Sequence, residues 1–164
     1  MTEQTTSTSP AAGVSGVGET GRGTAQAYTS AGGEMALGKV LSAGNGTVIF
    51  NPAGTNYELK LVAPGYAGPA QGPPVRGIIR VTARKVWTVP SGGNFIAPIF
   101  GPPRTIQGRV RSIGTGRMVV HAGCQIWVEL PDNDIVYDLA RGPIRAGAIV
   151  NVTALPGATF ELAG

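Results

Sequence analysis

Residues Gly38–Gly46 read "GKVLSAGNG", and seventy positions later Gly108–Gly116 read "GRVRSIGTG". The likeness continues past that phrase. "GRMVVHAGCQIWVEL" puts Met118 and Val120 where Val48 and Phe50 stand, and Ile126, Val128 and Leu130 where Tyr57, Leu59 and Leu61 stand. Further on, "IIRVTA" at 78–83 matches "IVNVTA" at 149–154, and Pro74 and Arg76 match Pro143 and Arg145. The blocks keep their order at offsets of 70, 69 and 71, with single-residue gaps. Any one block rich in Gly, Val and Ser could recur by chance, but three collinear blocks carrying one strand pattern predict an internal duplication.

Within each copy the hydrophobic period is two. Val48 and Phe50 share one face of a strand, and Tyr57, Leu59 and Leu61 share one face of the next, with Glu58 and Lys60 opposite. "NPAG" between them is turn chemistry, which predicts a hairpin with one apolar face. Strands are expected at 38–43, 46–51, 56–62 and 75–89 in the first copy, and at 108–113, 116–121, 125–130 and 147–155 in the second. Helical periodicity is absent, and only "DNDIVYDLA" has room for a short turn of helix. The 26 glycines and 13 prolines then punctuate many short strands, while 42% hydrophobic content supplies a core. At 164 residues the chain holds one ordinary domain or two very small barrels sharing a core.

The succession Gly-x-Val, "MVVHAG" and "IWVELP" resembles the first three strands of an OB-like or SH3-like barrel, over about 50 residues of each copy. The expected fold is therefore all-β. Two related small β units, 37–89 and 108–164, pack as one compact body behind a disordered tail at 1–36. The tail is Thr, Ser, Gly and Ala without hydrophobic periodicity, a composition that does not repay its ordering entropy.

Between the units lies a Pro- and Gly-rich arm, 90–107, "PSGGNFIAPIFGPPRTIQ". Pro98, Pro102 and Pro103 keep it irregular, and it offers Phe95, Ile96, Ile99 and Phe100 to the outside. Apolar residues on such an arm cover a barrel end or dock on a partner, and Phe95, Ile99 and Phe100 are the expected partner contacts. A protein partner or self-association follows from that reading. The opening "MTEQTTSTSPAAG" has neither a basic n-region nor an apolar h-region, and no window approaches the roughly 20 apolar residues of a membrane span. With Cys124 as the single cysteine, unable to form an intramolecular disulfide, the expectation is a cytoplasmic protein with no membrane attachment.

The inventory for catalysis is thin. His121 is the only histidine, so catalytic triads and zinc sites that pair histidines are excluded, and alternation turns it away from Val120 as a polar residue at a strand end. Cys124 has no second histidine and no acid cluster to activate it. Asp132, Asp134 and Asp138 lack the glycine and distal Glu of a calcium loop, and Glu58 and Glu129 lie on solvent faces. Glycine-rich "GNG" and "SGGN" precede no helix, so a phosphate cradle at a helix N-terminus is unsupported. These observations predict no enzyme, no catalytic residue, no metal and no cofactor.

Arginine is the remaining signal. Ten of the 13 basic residues are Arg, and the pI is 9.6. Residues 1–35 carry a net of −2, which leaves twelve basic and six acidic residues, a net of +6, on the rest. Arg76, Arg80 and Arg84 fall four apart on one strand face with Ile79, Val81 and Ala83 opposite, each arginine about 13 Å from the next. Arg109, Arg111 and Arg117 form a second cluster, and outward alternation of Gln125, Trp127 and Glu129 offers Trp127 as an exposed aromatic. A positive groove beside a stacking aromatic is how small barrels hold single strands. The leading expectation is nonetheless a non-catalytic β-barrel scaffold or assembly module. An OB-like nucleic-acid-binding protein using Arg76, Arg80, Arg84, Arg109, Arg111 and Trp127 is the alternative.

Overall fold

The period-two pattern becomes strand throughout. The computed structural model describes residues 34–163, whose regular structure is twelve β-strands with no α-helix. The first half carries β1 (Ala36–Gly44), β2 (Thr47–Pro52), β3 (Glu58–Val62) and the long β4 (Val75–Val89). The arm carries β5 (Phe95–Ala97) and β6 (Phe100–Gly101). The second half carries β7 (Thr105–Gly114), β8 (Arg117–His121), β9 (Gln125–Glu129), β10 (Val136–Asp138), β11 (Ile149–Ala154) and β12 (Thr159–Leu162). All eight strands expected from alternation are present. The arm strands, β10 and β12 are additional, and β10 occupies the segment that had room for a helical turn. The tail reading falls on residues outside the described ones as far as residue 33, and β1 already begins at Ala36, which is buried opposite Gly77.

The β1–β2 and β7–β8 ladders share one register, displaced by 70 residues. Lys39 pairs Asn51 and Val40 pairs Phe50; Arg109 pairs His121 and Val110 pairs Val120. Each first strand then holds one extra residue, Leu41 in β1 and Arg111 in β7, a bulge at the same place in both. The recurrent glycine has a steric cause. A Cβ on Gly38 would strike the carbonyl oxygen of Asn51, and one on Gly108 would strike that of His121. Only a residue without Cβ permits so close an approach of backbones.

Further along, the correspondence differs from the textual match. Val48 pairs Leu61 and Phe50 pairs Leu59, whereas Met118 pairs Val128 and Val120 pairs Ile126. Ile126 thus stands where Leu59 does, an offset of 67 rather than 69, and Cys124 takes the place of Tyr57. Likewise Gly38 pairs Val75 while Gly108 pairs Val150, an offset of 75, so "IIRVTA" and "IVNVTA" are not equivalent in the sheet.

The two halves lend each other strands. From β1 the pairing runs β1–β2–β3–β12–β4 and returns from β4 to β1; from β4 it also runs β4–β11–β7–β8–β9 and returns from β9 to β4. Both circuits use β4. Its start pairs β1, its middle pairs β12 and, in parallel, β9, and its end pairs β11 and β10. The first circuit is completed by β12, from the far end of the chain, through Phe160 opposite Ile79 and Thr159 opposite Val62. One contiguous core results, with Phe50, Leu59, Ile79, Ile106, Met118 and Ile126 fully buried in it. The described residues from Met35 onward form one compact unit.

Candidate functional site

The arm is fastened at several points. β5 lies antiparallel on β7, with Phe95 opposite Gln107, and β6 lies parallel to β3, with Phe100 opposite Glu58. Glu58 N–H donates to the Ile99 carbonyl (2.8 Å), Arg104 N–H to that of Ala97 (2.8 Å), and Ile96 N–H to the Tyr57 hydroxyl (3.2 Å). Ile96, expected outside, is instead only 2% exposed and pins the arm into the core. Of the three expected contact residues, Phe95 is half-buried, while Ile99 and Phe100 are 46% and 64% exposed. Phe100 is the most exposed large apolar residue among those described.

The arginines divide among distinct surroundings. Ile79, Val81 and Ala83 are buried, and Arg76, Arg80 and Arg84 lie on the opposite face of β4, as alternation requires. Arg84 is the extra residue of a bulge, since Ala154 pairs Ala83 and Thr153 pairs Lys85; beyond it the alternation inverts and Val86 and Thr88 turn inward. Arg84 lines a shallow cleft with Arg104, Pro98 and Leu155. Arg80 donates to Glu161 at 2.7 Å. Arg76 and Arg111 are exposed, the latter on the β7 bulge.

Trp127 is half-buried rather than free. Its indole ring lies 5.2 Å from the guanidinium carbon of Arg80 and 4.4 Å from that of Arg117, both within cation–π range. Arg80 and Trp127 are direct partners across the parallel β4–β9 pair, which brings together two of the residues picked from the sequence. Glu161, on β12, completes that group and had no signal of its own in the sequence.

His121 is half-buried, with Nδ1 enclosed and without a hydrogen-bond partner. The Cys124 thiol is packed in the core, and burial pushes its pKa up to about 12, which keeps it protonated and non-nucleophilic. Among the described residues no three His, Cys, Asp or Glu side chains converge as metal ligands. No helix of the described residues is long and apolar enough to cross a membrane.

Arg109 belongs to a larger cleft of about 770 Å³, which also takes in Arg141, Arg145 and the root of the arm at Pro90–Gly92. Its floor lies where β4, β7 and β11 run side by side, with Ile149 pairing both Val89 and Arg109. Its wall is the loop 141–148, held by Thr88 Oγ1 donating to the Gly142 carbonyl (2.9 Å), Arg109 Nη1 to that of Gly147 (2.7 Å), and Gly147 N–H to that of Val110 (2.8 Å). Arg141 and Arg145 lie outside the strand alternation that marks the other arginines. The only hint was "RGPIRAG", two arginines four apart in a segment bounded by glycines.

Comparison with known proteins returns no matching family model, no matching curated protein and no matching solved structure.

Proposed function

We propose that the protein is a non-catalytic assembly module, built from two duplicated OB-like or SH3-like β units, whose arm packs against a second copy of the chain. The observation that carries this reading is the arm itself: a segment with four prolines is tied to β3 and β7 and anchored by Ile96, yet it presents Ile99 and Phe100 outward. An apolar pair held rigidly at the surface is a contact element in need of a partner. The common register of the β1–β2 and β7–β8 ladders, with the same bulge and the same close-approach glycine, supports the duplication, and each closed circuit of pairings supports a small barrel. The buried, protonated Cys124 is no nucleophile, in keeping with a role without chemistry of its own. A free thiol suits the cytoplasm.

The arginine-face alternative draws less support. Its residues fall in separate surroundings, one of them is already paired with Glu161, and Trp127 already has guanidinium groups against its ring where a base would stack.

Light scattering on the full chain across a range of concentrations tests the assembly reading. The wild type is expected to self-associate, and Ile99→Ser with Phe100→Ser to remain folded and shift to monomer. A wild type that stays monomeric at every concentration, or a double variant that associates equally well, overturns the reading.

A further inference from the structure

We propose that the cleft between the loop 141–148 and strands β4, β7 and β11 binds a condensed phosphate, a di- or triphosphate group, independently of any assembly through the arm. Three arginines, Arg109, Arg141 and Arg145, are among its lining residues, and no Asp or Glu is. Asp138, the nearest acid along the chain, turns its Oδ1 to the Ala140 N–H at 3.1 Å and is not part of the lining. Arg141 and Arg145 form no ion pair with any described residue, in contrast to Arg80 with its Glu161. Arg109 spends one donor on the Gly147 carbonyl and keeps the rest of its five-donor fork.

Three like charges around one concavity repel each other until an anion joins them, and the field focused there favours a multiply charged one. Arginine rather than lysine at all three places suits the paired oxygens of a phosphate. The site is also built in advance. Gly142 and Gly147 hold φ values of 118° and 92°, which side chains rarely adopt, and hydrogen bonds with Thr88, Arg109 and Val110 fix both glycines to the sheet. At about 770 Å³ the cleft is within the ordinary range for small-molecule sites and far larger than one orthophosphate needs.

Calorimetric titration of the full chain with inorganic tripolyphosphate, at constant ionic strength, tests the assignment. One saturable site per chain is expected, with sulfate at the same ionic strength giving none. Losing a charge-assisted hydrogen bond weakens binding by roughly tenfold or more, so Arg141→Ala with Arg145→Ala should weaken it by about a hundredfold. Both side chains are exposed, so the fold should persist, as urea denaturation would verify. Arg141→Lys with Arg145→Lys keeps the charge and loses the fork, and should fall between. Lys39→Ala with Lys60→Ala removes the same charge elsewhere on the exposed surface and should leave affinity unchanged. Absence of saturation, equal binding of sulfate, or equal weakening by the two alanine pairs overturns the proposal.

Discussion

Phe160→Ala tests whether the two circuits are one cooperative structure. Phe160 is 4% exposed in β12, with its ring 4.9 Å from that of Phe50 and 6.2 Å from that of Tyr66. Gly77 lies beneath it, so close that a Cβ there would strike the ring, and a glycine has nothing to extend into the void. Truncating a buried Phe costs about 3 to 5 kcal/mol, and the poor prospects for collapse place this one near 4. With a urea slope of about 2 kcal/mol/M, the midpoint should fall by about 2 M. The two tryptophans, Trp87 in β4 and Trp127 in β9, report on the second circuit, while amide exchange in β2 and β3 reports on the first. Because β4 is shared, both readouts should lose the same stability. Loss of exchange protection in β2 and β3 with an unmoved tryptophan transition would show that the first circuit melts alone, and would refute the argument that the shared strand couples them.

Gly108→Ala should be far more damaging than its size suggests, because the added Cβ meets the backbone at His121 and Ala122, which cannot rotate away; a loss of about 1 to 3 kcal/mol or more is expected by chemical denaturation. Gly44→Ala, with nothing within 4 Å, should instead be neutral or stabilising by up to about 1 kcal/mol. Cys124 should resist thiol reagents near pH 8 in the native protein and react on unfolding. Its folded pKa lies above the unfolded value of 9.0, so the stability contributed by burying the neutral thiol is complete below pH 9 and lost progressively as pH rises toward about 12; Cys124→Ala should remove that alkaline dependence in a series of urea melts.

The sequence exposed the faces of strands better than their register. The third strands correspond at 67 rather than 69, and the fourth at 75 rather than 71. Both errors are even, and a strand displaced by two or four residues keeps every side chain on its proper face, so the inward assignment of Leu59, Ile79 and Ile126 holds. The bulges have no signature in the sequence, because Leu41, Arg84 and Arg111 break no local composition rule. β12 escaped because "TFEL" is too short to count alternation and follows Pro156 and Gly157. Ile96 looked exposed in a proline-broken arm; its burial depends on Tyr57 and β7, both distant partners. The cleft arginines illustrate the same limit: Arg109, Arg141 and Arg145 meet only because Thr88 and Val110 hold the intervening loop.

The arm and the cleft share a structural origin in β4. The chain leaves that strand at Val89, forms the cleft rim at Pro90–Gly92, and is tied back by Gln107 Nε2 donating to the Gly93 carbonyl at 2.9 Å. It then pairs with β7 through β5 and with β3 through β6 before entering β7 itself. Arm residues are therefore fixed by strands belonging to both circuits, and their conformational entropy is already lost on folding. A partner meeting Ile99 and Phe100 would not have to order the segment that carries them. Ordering an interface costs about 0.5 to 1.5 kcal/mol per immobilised side chain, so the small apolar surface here is worth more in binding than the same residues on a free loop.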